Sequence, residues 1–465
     1  MELSRRETVA ALAGVLALAG CGRPESAGRN EQSTVGADLD DRAKQQLGDS
    51  SGRSVSAEEL VAGYEADIYV LAQGEQFHGI DETEETLVQA DDLGRVINEA
   101  QATLGEGHIL VAAGGLLGVA IEQASQITLV GLDERVELTP TDAAGESDPI
   151  YRIPAETTGG QFESISIDMQ YRGGSAVSAD GYTELVLDGI HIQHVGEHGI
   201  TLADGESIEI RDARFESISK DAVSITNCSG VQMDSCDVTE ANHAVYAGSS
   251  SNVTISDVTA RRAEYSAFAI GDYTTNWEVT GCRAIDGGST PFTASTALSG
   301  AFVDCVAEGT TGTNEGGFEI EYNSDNDEQN RRDPVRDCSV VSCTARDCNV
   351  GFYAREDENH DTGTPIIRPR FIDCTAANCD TGLFIGSNVE EAIVEGFDPV
   401  DCDTDLVDNG VRTIIDGKSE NEGDPSNEGQ WLGHADAAVA LDVVVVDTLD
   451  GTRYTATEQG GWQSR

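Results

Sequence analysis

Apolar residues return along the middle of this chain every 22 to 24 residues, and that spacing leaves few folds open. Leu185, Ile208, Val231, Val253 and Trp277 stand at intervals of 23, 23, 22 and 24. Two residues after each come Leu187, Ile210, Met233, Ile255 and Val279. Three further on stand Ile190, Ala213, Cys236, Val258 and Cys282, a column that Cys305, Cys343, Cys374 and Phe397 extend. Later in each repeat a small residue precedes an inward–outward–inward step: HGITL, DAVSI, HAVYA, SAFAI, GGFEI, VGFYA, TGLFI. Alternation of this kind marks strands. A period of about 23 residues is too short for a helical crossover, so each repeat winds back on turns alone.

Successive repeats then pair in parallel at ~4.8 Å, and equivalent residues form ladders along one axis. The expected fold is all-β: a right-handed parallel β-helix of about 11 coils over residues 127–415. Its end coils need caps, because they expose core and strand edges. Residues 61–126 are expected to form the N-terminal cap and first coil. Within them 89–107 reads as an amphipathic helix with Leu93, Val96, Ile97, Ala100 and Leu104 on one face. Residues 416–465 read as a tail and a β cap, a hairpin over 440–457 turning at Asp450-Gly451. Two coils carry insertions, 323–337 and 356–369, after the same strand, and these are expected to form one wall.

Ten cysteines follow Cys21. Cys236, Cys282, Cys305, Cys343 and Cys374 fall in one inward ladder; Cys348, Cys379 and Cys402 fall in a second. Stacked core thiols are the simplest reading. Axial disulfides would be tight, and zinc is disfavoured because no histidine lies among these ladders.

Residues 1–21 read as an export signal: Arg5-Arg6, then an apolar run over 9–19 too short to span a bilayer. SRRET resembles a twin-arginine export motif. LAGC, ending at Cys21, resembles a lipoprotein processing site, whose cysteine is lipidated. Residues 22–60 are an acidic, Gly/Ser-rich tether without a fold of its own. The expected location is therefore the outer face of the cell membrane, reached only through a lipid on Cys21. A net charge of −56, from 84 acidic and 28 basic residues, excludes nucleic acid as a partner. The spread of acidity, with lysine only at 44, 220 and 418, resembles proteins of salt-loving archaea. Asn227-Cys-Ser and Asn252-Val-Thr match N-glycosylation acceptors. A monomer is expected.

The repeat also aligns chemistry. Just before the small residue, three successive coils carry His198, Asp221 and His243. One position earlier stand Glu197, Lys220 and Asn242, and Tyr246 points outward beside them. Such a column holds acids and bases whose pKa values its neighbours can separate. A second candidate lies beside the insertions: Glu319 next to Tyr353 and Glu321 next to Arg355, either a sugar-binding surface or cross-strand ion pairing.

The coil pattern over about residues 105–415 resembles the pectin-lyase-like superfamily. HGITL, KDAVSI and NHAVYAGS resemble three successive coils of polygalacturonase-type glycoside hydrolases, whose motifs are Asn-Thr-Asp-Gly, Asp-Asp and Gly-His-Gly. The resemblance puts Asp221 on the second Asp of the pair and His243 on the family histidine. His198 and Lys220 stand where that family has Asp, and its Arg-x-Lys has no counterpart near SAFAI. Inverting hydrolysis needs two carboxylates, and Glu197 is the only nearby partner for Asp221. Related β-helix lyases use Lys or Arg as base or as the cation on the sugar carboxylate, often with calcium, for which no ligands are assigned here. The resemblance thus implies a protein that binds or cleaves an extracellular, uronate-containing polysaccharide, as a lyase rather than a hydrolase. Lys220, Asp221, His243, His198 and Glu197 would be catalytic; Tyr246, Asn242, Glu319, Glu321, Tyr353 and Arg355 would hold substrate. The alternative is a non-catalytic adhesion or envelope module, in which Lys220 and Asp221 form a surface ion pair worth ~0–1 kcal/mol.

Overall fold

The computed structural model describes residues 57–416 except 133–135, 311–315, 324–333 and 357–363, together with four short strands beyond 416. The export signal, Cys21, nearly all of the tether, the centres of both insertions and the turn at Asp450-Gly451 lie outside the described residues.

The chain winds as a right-handed parallel β-helix of three sheets, two of them with twelve strands each. Those twelve coils are one more than the repeat suggests. Leu185, Ile208, Val231, Val253 and Trp277 are consecutive partners in the first sheet. Ile192, Phe215, Val238, Ala260 and Ala284 are partners in the second. Both long coils return to register, with Gly300 opposite Cys338 and Ser339 opposite Arg370.

Inside, like stacks on like. Phe268, Phe292, Phe318 and Phe352 form a file with ring centroids 4.9, 4.6 and 5.2 Å apart and planes within 15°. Each step is one coil rise, and each buried ring contributes roughly 1.5–3 kcal/mol. The longer cysteine ladder is at most 1% exposed, and all ten cysteines of the described residues are free thiols. Burial pushes Cys236, Cys338 and Cys374 up to about 12, so they pack as neutral small hydrophobes.

The N-terminal cap is more β than the sequence suggests. Strands Ile68–Gln73, Gln76–Asp81 and Thr86–Ala90 form an antiparallel meander, and the first of them also pairs in parallel with Gly107–Val111. Gln89 and Ala90 are therefore strand. The helix is Leu93–Leu104, because Asp92 caps it by accepting the Arg95 N–H, and Gly105 ends it. Near the C-terminus Val444–Val446, Arg453–Ala456 and Trp462–Ser464 form an antiparallel three-stranded meander.

The turn from first to second sheet repeats one backbone state. Gly189, Asp212, Ser235, Asp257, Gly281, Asp304, Ser342, Asp373, Gly396 and Asp416 follow one another with φ between 45 and 63°. Only residues that tolerate the left-handed region fit there. Aspartate occupies every second coil, which sets these carboxylates about 10 Å apart rather than ~4.8 Å. Glycine leaves room for the neighbouring aspartate at two of the intervening coils: a Cβ on Gly281 or Gly396 would lie 2.6 or 2.3 Å from the Asp257 or Asp373 carboxylate, which would have to turn aside.

Candidate functional site

The column of interest sits on the turn from second to third sheet. Strands Ile200–Ala203, Val223–Thr226 and Val245–Gly248 are in register, with Ile200 opposite Val223 and Val223 opposite Val245. The residue before each strand is small because the coils touch there: a Cβ on Gly199 would lie 2.5 Å from the Ala222 carbonyl. Backbone bonds carry the register back one residue, with Gly199 N–H on Asp221 O and Ala222 N–H on His243 O. His198, Asp221 and His243 therefore stack coil on coil.

Their side chains converge. His243 Nδ1 lies 2.7 Å from Asp221 Oδ1, and His198 Nδ1 lies 3.2 Å from Oδ2. The Asp221 amide N–H donates to His198 Nδ1 at 3.4 Å. A lone pair on His243 Nδ1 would face the carboxylate, so its proton belongs on Nδ1 and its Nε2 is left as the free base. Asp221 is only 8% exposed. Burial alone would push its carboxyl up; the hydrogen bonds from His198 and His243 outweigh it and hold the group at about 2. Beside it, Lys220 Nζ is ion-paired to Glu197, both at the surface. The Asn242 N–H donates to Lys220 O at 2.8 Å.

Two tyrosines close on His243. The Tyr246 ring lies 5.9 Å away, its hydroxyl hydrogen-bonded to Asp272. The Tyr265 ring stacks on the imidazole, also at 5.9 Å, and is 52% exposed. Tyr265 occupies the Lys220–Asn242 column one coil on, so the repeat alone locates it. Asp272 carries no such signal; it reaches Tyr246 diagonally from a left-handed corner.

The second candidate keeps its register, and two of its four residues are buried. Glu319 is opposite Tyr353 and Glu321 opposite Arg355. Arg355 Nε instead donates diagonally to Glu319 at 3.1 Å, with its guanidinium 4.4 Å over the Tyr353 ring. Glu319 and Tyr353 are 6% and 4% exposed, and the ion pair and the cation–π contact hold Arg355 against them. Glu321 is half-buried. Asn227 and Asn252 are exposed on left-handed corners.

Calcium does not fit this column. Its two carboxylates are taken by Lys220 and by two imidazoles. Among the described residues no three His, Cys, Asp or Glu side chains are grouped to hold an ion.

Residues 175–396 match the family described as right handed beta helix region. No curated protein matches the chain. Among solved structures, the catalytic unit of a thermostable GH87 α-1,3-glucanase from Streptomyces thermodiastaticus is similar, with TM-score 0.59 and 12% identity over 70% of this chain and 65% of that one. The chain therefore spans just under two thirds of that catalytic unit. The A-module of the Azotobacter vinelandii mannuronan C-5 epimerase AlgE4 is similar with TM-score 0.52 and 10% identity, over 70% of this chain and 96% of that one. At such identities the likeness establishes the fold.

Proposed function

We propose that this chain acts on an extracellular, uronate-containing polysaccharide at the His198–Asp221–His243 column, by removing the proton at C5 of a uronate. One observation carries the reading: an ionised, buried Asp221 fixes His243 through Nδ1, which leaves Nε2 as a base beside the only lysine among residues 57–416. His243 Nε2 takes the C5 proton while the Lys220 ammonium faces the sugar carboxylate and stabilises the charge that develops. In elimination the C4–O bond breaks as the C4–C5 double bond forms, and His198 supplies the proton to the leaving oxygen. Return of the proton to the opposite face would give the epimer instead, and a C-5 epimerase is among the proteins of similar fold. Hydrolysis is disfavoured, because Asp221 has no proton to give at neutral pH and Glu197 is engaged by Lys220.

A second reading rests on the same contacts. Glu197 with Lys220, and Asp221 with two imidazoles, form a cluster satisfied within the chain, as a non-catalytic surface module would have. Polymannuronate, polygalacturonate and a neutral glucan, offered in concentrated salt, separate the two. The lyase reading expects unsaturated ends, lost about 100-fold in His243→Ala and in Lys220→Ala, and unaffected by EDTA because Lys220 is the cation. Loss in EDTA restored by calcium would move the cation's role to a metal. Neither new ends nor C5 hydrogen exchange with any polymer would leave the surface module. Export and anchoring belong to the same proposal: Cys21→Ser is expected to shed the chain from cells into the medium.

A further inference from the structure

Two exposed tyrosines bracket the column, and each rests on the same kind of support. Tyr265 lies against His243, which is bonded to Asp221 at 2.7 Å. Tyr171, 62% exposed, lies with its ring 5.0 Å from His194, whose Nδ1 is 3.1 Å from Asp168. The unit tyrosine–imidazole–carboxylate therefore occurs twice along one turn of the helix. Both imidazoles are pinned, so both phenol rings have a fixed backing rather than free rotation over the surface.

Tyr171 is also held at φ 60°, next to Gln170 at 52°. A bulky aromatic in the left-handed region costs roughly 1–2 kcal/mol. The neighbouring Arg172 locks that turn through Asp142 at 2.7 Å and the Ala144 carbonyl at 3.1 Å. The fold thus spends backbone strain on presenting an aromatic face to solvent.

Tyr171, Glu197, Lys220, Asn242 and Tyr265 lie on five successive coils, which puts the two rings four coils apart, ~19 Å along the axis at the usual strand spacing. A pyranose residue in an extended polymer advances by about the rise of one coil. Glu197, Lys220 and Asn242 line the interval between the tyrosines. Resting on the proposed reading of this corner as a polysaccharide site, we propose that Tyr171 and Tyr265 are stacking platforms for the C–H faces of sugar rings. They hold one chain along the helix axis, so that the residues between them lie over His198, Asp221 and His243. Rigid tyrosines give large amphipathic contact area with little entropy to lose.

Retention in native gels containing polymannuronate or a neutral glucan tests this, since a ring face is common to both polymers and only the first adds charge. Tyr171→Ala and Tyr265→Ala are each expected to weaken retention about 10-fold and to raise KM with kcat kept, while the Phe variants behave as wild type. Tyr64→Ala, at an exposed tyrosine on the N-terminal cap, is expected to change nothing. Wild-type retention that both Ala variants preserve overturns the platforms and leaves the chemistry standing. Retention that depends on the tyrosines without any turnover supports the platforms and removes the chemistry. Wild type retained by neither polymer overturns both.

Discussion

Asp221 is ionised in a place where burial alone would neutralise it, and the two imidazoles are the reason. Its folded value of about 2 lies below the ordinary 3.8. The sign follows: the charged pair stabilises the fold fully above pH ~4, and that stability drains away as pH falls through about 2. The shift corresponds to about 2 kcal/mol. Asp221→Asn is expected to lose about that much at pH 7, and its melting temperature should converge on that of wild type as the pH drops from 4 to 2. Curves that stay parallel across that range would mean the carboxylate is not held by the histidines. The same residue separates what the sequence displays from what it hides. That His198, Asp221 and His243 share a column follows from the repeat, because register is a matter of counting. Which way the imidazoles turn does not, because it depends on side-chain bonds across coils. Tyr171 escapes the count as well: its turn, 169–176, is two residues longer than the turn 194–199 stacked on it.

Among elements, the strands are legible because a parallel stack demands the same kind of residue at the same place on every coil. The phenylalanine file and the cysteine ladder are that demand written in sequence. The cap is less legible, since it occurs once and has no repeat to confirm it; hence 89–92 reads as helix while Gln89 and Ala90 pair as strand. The outward residues Glu319 and Tyr353 alternate like surface residues, and only the packed structure reveals their burial. The left-handed corner offers a test at this scale. Ser342 separates Asp304 from Asp373, all three exposed. Ser342→Asp would place three carboxylates on consecutive coils at ~4.8 Å, each new neighbour costing about 1 kcal/mol in water. The variant is expected to melt below wild type in dilute buffer and level with it in about 1 M salt, where the screening length is ~3 Å. Ser342→Asn, neutral and tolerant of the same backbone, should match wild type throughout. An Asp variant equal to wild type in dilute buffer would mean that the alternation at this corner carries no electrostatic benefit.

For the molecule as a whole, a charge of −56 is the dominant long-range term. The cross-coil pairs Arg262–Glu240, Arg283–Glu308 and Arg368–Asp337 offset it only locally. With 84 acidic and 28 basic side chains, most carboxylates have no cation to meet. At about 0.1 M salt the screening length is ~10 Å, two coil rises, so each carboxylate still feels those on the next coils; at about 1 M it is ~3 Å, less than one. Stability should therefore keep rising well beyond the ionic strength at which an ordinary protein has levelled off. The melting temperature is expected to climb steadily as sodium or potassium chloride is raised from about 0.1 to 1 M and above. Sucrose, which strengthens burial without screening charge, should give only a small part of that rise. A melting temperature flat in chloride, or matched by sucrose, would mean that coil packing alone sets the stability and that the acidic surface has no special relation to salt. The same experiment bears on substrate: a polyuronate meets a like-charged protein, so its retention should strengthen with added salt, whereas that of a neutral glucan should not.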